Sequence, residues 1–154
     1  MNTCRWKRTA NVRGFTVVEL MVVLVIGAIL VSVAVASYSA QVRKSRRTEA
    51  KTAVLDLAGR EERNYSTTNT YTNVPANLGY TGDAFPIQIG NGYYSVDIAV
   101  TAAAGAVPAT FTITATPVGD QLKDTQCASF SVNDQGVQSA PDDSGNDQTA
   151  NCWR

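Results

Sequence analysis

Residues 15–36 read FTVVELMVVLVIGAILVSVAVA, and their only charge is Glu19. From Leu20 to Ala36, Ser32 is the one conventional polar side chain. Roughly 22 residues at ~1.5 Å each make a helix of about 33 Å, enough to cross a hydrocarbon core of roughly 30 Å. As a core helix in a soluble protein, so continuous an apolar surface would need protein on every side. The rest of the chain is too polar to supply it. The segment therefore reads as membrane-embedded. Ala34-Val35-Ala36 before Ser37 has the small-x-small form of a signal-peptidase site, so release of a soluble binding domain after Ala36 stays open. Against that, the apolar run exceeds the usual signal length of roughly 7–15 residues. An acid inside a membrane segment is also expensive and marks a partner or a function. A disposable signal has no use for one.

Outward from this segment the charge is uneven. The chain has 154 residues, with 13 Lys and Arg against 13 Asp and Glu. That length bounds it to one domain with an appended segment. Arg5, Lys7, Arg8 and Arg13 precede the apolar run with no acid among them, and Arg43, Lys44, Arg46 and Arg47 follow it. The positive-inside count is close to a tie. Beyond Asn64 every acid is an aspartate, and the only bases are Lys123 and Arg154. A basic head and middle thus precede an acidic body, which opposes direct nucleic-acid binding. There is no histidine, which removes His-based metal sites and His-assisted nucleophiles.

Arg13-Gly14-Phe15-Thr16-Val17-Val18-Glu19-Leu20 resembles the processing site of type IV prepilins and related pseudopilins. The resemblance implies a leader over 1–14, cleavage after Gly14 by a prepilin peptidase, and N-methylation of the new terminus at Phe15. It also implies an assembly role for Glu19, four residues further on. The physics agrees with that role. Cleavage creates an α-amino group at the bilayer edge, and Glu19 lies one turn deeper. An axial stagger of about one turn, roughly 5.4 Å, would bring the Glu19 of one subunit to the amine of the next. Each charge then offsets the desolvation of the other. Many pilins carry a proline near the end of the span. Val35-Ala36-Ser37 has none, so the kink that proline promotes is not expected here.

Beyond the span, Ala50, Val54, Leu57 and Tyr65 recur at helical spacing beside Ala53, giving an amphipathic continuation over 37–65. Arg46 with Glu49, and Asp56 with Arg60, are spaced to pair on its surface. The Arg43–Arg47 cluster reads as a solvated collar, or as a contact for lipid phosphates or a neighbour's acidic patch. Residues 66–91 are loop-like, punctuated by Pro75, Gly79, Gly82, Pro86 and Gly90, with Tyr71, Leu78, Tyr80 and Phe85 pinning the loop. The period then changes to two. Tyr94-Val96-Ile98-Val100, Phe111-Ile113-Ala115 and Ala128-Phe130-Val132 each alternate with small or polar residues. The turn Asn133-Asp134-Gln135-Gly136 leads to a short fourth strand. The expected fold class is α+β. A long N-terminal helix, transmembrane over 15–36, packs its second half on a small antiparallel sheet of 3–4 strands in a body over 66–154.

Cys4 falls in the leader, leaving Cys127 and Cys152 as an even pair in an exported body. Their spacing fits neither a CxxC redox motif nor a zinc site. Closing the loop between them is worth roughly 3–4 kcal/mol in the chain-entropy model. A C-terminal disulfide-bounded loop also resembles the type IV pilins. Inside it, Asp142-Asp143-Ser144-Gly145-Asn146-Asp147 has calcium-ligand chemistry but not EF-hand spacing, so no metal ligand is assigned. Glu61-Glu62-Arg63-Asn64-Tyr65 with Tyr71, Thr114–Gln121, Asp124 with Cys127, and Cys152-Trp153 resemble the PilE-type minor pilins.

The resemblance implies a structural pilus subunit with no enzyme activity and no cofactor. Its partners would be other pilins, the prepilin peptidase, the pilus assembly machinery and inner-membrane lipid. Its N-terminus would be cytoplasmic and its body periplasmic, then extracellular in the fimbrium. The nearest rival is a type II secretion pseudopilin, against which the Cys127–Cys152 pair argues.

Overall fold

The computed structural model describes residues 14–154. The basic residues and Cys4 assigned to the leader lie outside them. Two compact units divide the chain, one ending at Ser39 and the other covering Ala40–Arg154. Helix α1, Val17–Thr68, contributes to both.

In the first unit, the large apolar side chains from Phe15 to Val35, and Tyr38, are exposed. Thr16 starts the helix. Its Oγ1 accepts the Glu19 N–H at 3.2 Å, and its carbonyl accepts the Leu20 N–H at 3.2 Å. This satisfies one of the N–H groups that every helix start leaves orphaned.

In the second unit α1 runs past Tyr65, where the sequence reading ends it, to Thr68. Hydroxyls line the extra turn. Ser66 Oγ donates to the Arg63 carbonyl, and Thr67 and Thr68 Oγ1 to that of Asn64, at 2.7–2.9 Å. The backbone ladder continues alongside them, with the Asn69 N–H reaching the Tyr65 carbonyl at 2.8 Å. Asn69, at φ 60°, then turns the chain out of the helix.

Five strands follow: β1 Ile87–Ile89, β2 Tyr94–Thr101, β3 Thr110–Pro117, β4 Phe130–Asn133 and β5 Gln138–Ser139. They pair antiparallel in sequence order, with Ile98 opposite Ile113 and Ile113 opposite Val132. The alternation places Tyr94, Val96, Ile98, Phe111, Ile113, Ala115, Phe130 and Val132 in one core with Ala50, Val54 and Leu57 of α1. Leu78 is buried too, and Tyr71, Tyr80 and Phe85 pack against that core, so the long connection is pinned as expected.

Two details correct the sequence reading. The sheet has five strands, because Ile87–Ile89 pairs with Tyr94–Val96 inside the segment read as loop. Three residues between Pro86 and Gly90 are too few to show a period. The run Cys127–Ser129, read as the start of a strand, is irregular. The Ala128 N–H bonds instead to the Pro141 carbonyl at 2.9 Å, inside the loop closed by the Cys127–Cys152 disulfide.

Candidate assembly site

The residues singled out for processing and assembly are consecutive or nearly so. Phe15 is 81% exposed, and Glu19 is exposed in the first turn of α1. Thr16-Val17-Val18-Glu19 has the spacing of a helix capping box, which the sequence reading missed. An acid in the first turn also opposes the positive end of the helix dipole. Glu19 therefore also stands where an acid favours the start of a helix. One stretch of α1 is long and apolar enough to cross a membrane by length and composition.

The second unit shows how the Ala40–Thr68 part of α1 is fastened to the sheet. Arg47, read as part of a solvated collar, is mostly buried. Its Nε and Nη2 form a two-pronged pair with the Asp124 carboxylate at 2.7 and 2.6 Å, and Asp124 is almost fully buried. The two are separated by 77 positions in sequence, so no local spacing rule could pair them. The buried Gln121 amide nitrogen lies 3.0 Å from Tyr94 Oη, 3.2 Å from Asp124 Oδ2 and 3.2 Å from the Arg43 carbonyl. Burial pushes the Tyr94 hydroxyl up to about 12, so it stays protonated.

Arg46 and Glu49 do not pair. The Arg46 guanidinium lies 3.6 Å over the Tyr93 ring, a cation–π contact. Glu49 Oε1 instead accepts the Asn91 N–H at 2.6 Å. The carboxylate lies directly against Gly90, at φ 53°, where any Cβ would collide with it. The other expected pair forms. Arg60 Nε bonds Asp56 Oδ2 at 2.7 Å, and Tyr80 Oη donates to the same oxygen at 2.9 Å. The hydrogen bond from Arg60 holds the Asp56 carboxyl below its ordinary value.

In the disulfide loop, Asp142 takes hydrogen bonds from the Ser144 and Asn146 N–H groups, at 3.0 and 2.8 Å, and from the Asn146 amide. This is a side chain closing its own turn. Among the described residues no cluster of three or more acids, cysteines or histidines is placed to hold a metal. Lys44, Arg47, Gln126, Asp142, Asp143 and Asn151 are among the residues lining a cleft of about 550 Å³ beside this loop.

A helix with an unshielded apolar start, an antiparallel meander and a C-terminal disulfide loop define the pilin class of fold. Residues 36–131 match the family described as type IV minor pilin ComP, DNA uptake sequence receptor, and the chain belongs to it. Residues 9–35 match the prokaryotic N-terminal methylation motif. This motif and the apolar helix fit a membrane-anchored pilin that enters a pilus. A similar solved structure is the high-resolution structure of a type IV pilin from Shewanella oneidensis. It is 23% identical, with a TM-score of 0.48, over 73% of this chain and 98% of that one. No curated protein matches the chain.

Proposed function

We propose that the chain is a non-enzymatic minor subunit of a type IV pilus. It is made with a leader over 1–14, cut after Gly14 by a prepilin peptidase and methylated on Phe15. Residues 15–36 hold it in the inner membrane, N-terminus cytoplasmic and body periplasmic, until the assembly machinery draws it into a fibre. Glu19 guides that step by pairing with the terminal amine of a neighbouring pilin. The observation that carries this reading is the contrast within α1. Its second part closes a core of its own, whereas its first exposes an unbroken apolar surface beginning at Phe15. Such a surface needs lipid first and neighbouring helices later.

Intact mass and N-terminal sequencing of protein from native membranes and sheared fibres test this. The expected chain begins at methylated Phe15. A soluble chain beginning at Ser37 would replace the filament by a secreted domain. Glu19→Ala is expected to leave the membrane pool intact and empty the fibre fraction.

The family description supplies a second reading, contact with DNA. Lys44 is an exposed base on the cleft beside the disulfide loop, but Asp142 and Asp143 share that cleft and Arg47 is engaged by Asp124. Retention of labelled duplex on purified fibres, lost on Lys44→Ala and weakened by salt, would favour this reading.

A further inference from the structure

Glu61 continues the buried stripe of α1 one turn beyond Leu57, and it is 0% exposed. A carboxylate at a core position needs donors for both oxygens. Oε2 accepts the Thr72 N–H at 3.1 Å, whereas Oε1 is buried with no hydrogen-bond partner. No salt bridge reaches Glu61 among the described residues.

The charged groups nearby do not compensate it. Glu62, next on the helix, adds negative charge and accepts the Tyr71 hydroxyl at 3.2 Å. Asp134, in the turn after β4, acts on Tyr71 with the same sign. Arg60 is held by Asp56 and the Leu78 carbonyl, and Arg63 lines a cleft with Asn64, Thr67, Asn77 and Leu78. Glu61 thus joins α1 to the start of the long connection while lacking what an ionised carboxylate needs.

We propose that Glu61 is a pH-sensitive pin. In its neutral form it holds residues 70–74 against α1, and in its ionised form it favours an opening that lets water reach Oε1. Two further fasteners of this segment involve no carboxyl. Asn64 Nδ2 donates to the Thr70 carbonyl at 2.9 Å, and Tyr71 stacks on Tyr65 at 4.6 Å and meets Phe111 edge-on at 4.8 Å. The Tyr71 hydroxyl is itself pushed up to about 12 by burial.

Burial raises the Glu61 carboxyl above its ordinary value of 4.5. Its contribution is therefore complete below that value and is lost as pH rises through the folded one. The sign is opposite to that of the surface aspartates Asp56 and Asp142, whose hydrogen bonds lower them.

Amide hydrogen exchange on the detergent-solubilised full chain tests this, with rates converted to protection factors from about pH 4.5 to about pH 7.5. Protection of the 70–74 amides is expected to fall at least about threefold as pH rises. Glu61→Gln should flatten that profile, and Glu62→Gln should preserve the fall. A flat wild-type profile overturns the proposal, as does an unchanged fall in Glu61→Gln. Should Glu61→Gln fail to fold, the wild-type profile alone decides. None of these readings requires the chain to enter a fibre.

Discussion

Leu24 and Leu57 lie on the same helix, yet Leu24 is 64% exposed and Leu57 is 1% exposed. The sequences around them differ in kind. Around Leu24 nearly every residue is apolar, so no face is distinguished from another. Around Leu57, apolar positions recur every three or four residues between charges. A periodic stripe finds its partner within its own chain, here the inner face of β2–β4. An all-round apolar surface has no one face to bury, and it takes its partners from outside the subunit. One helix thus carries two kinds of instruction, one for folding and one for assembly.

The comparison breaks hardest at the fasteners of the second half. Asp124→Ala would strand the Arg47 guanidinium in a mostly buried site and is expected to cost about 3–5 kcal/mol. Urea unfolding of the solubilised chain, read by a probe in the sheet, would show it as a lowered midpoint. Next comes the leucine pair itself. Leu57→Ala should cost about 2–5 kcal/mol by the same measurement, whereas Leu24→Ala should leave the midpoint unmoved. Equal losses would mean that both halves stabilise the body, which would erase the distinction. The smallest effect belongs to the surface. Arg60→Ala removes the exposed pair with Asp56 and a hydrogen bond to the Leu78 carbonyl, and should lower the midpoint least of the three. Because Asp56 is held below its ordinary 3.8, that loss should shrink as pH falls through the lowered value and the carboxylate is neutralised.

Much of the body was legible because its signals are local. The alternation in Tyr94–Val100 and Phe111–Ala115 reports an inner face residue by residue, and Ala50-Val54-Leu57 reports the face that covers it. Local reading failed where the partner is remote or the signal is short. Arg47 looked like one more base in a collar, because nothing near it in sequence announces Asp124. Glu49 sat within helical reach of Arg46 but accepts the backbone N–H of Asn91 instead, a donor that the turn at Gly90 brings to it. Ile87–Ile89 was too short, and Glu61 was hidden by its residue type: its spacing fits the buried stripe, but a carboxylate does not suggest a core position. The N-terminal motif was legible through its resemblance to prepilins, and the Thr16 cap lay inside the same letters.

The sheet order has a consequence for how the body is made. Each strand pairs with the one before it, and no strand must be inserted between two already joined. Closing each hairpin therefore spans a short stretch of chain and costs little loop entropy. The part of α1 that covers the sheet precedes every strand, so its apolar stripe is already synthesised when β1 emerges. Strands can then dock one after another in the order in which they are delivered. Cys152 follows them all, so its cross-link to Cys127 can close only after every strand has been synthesised.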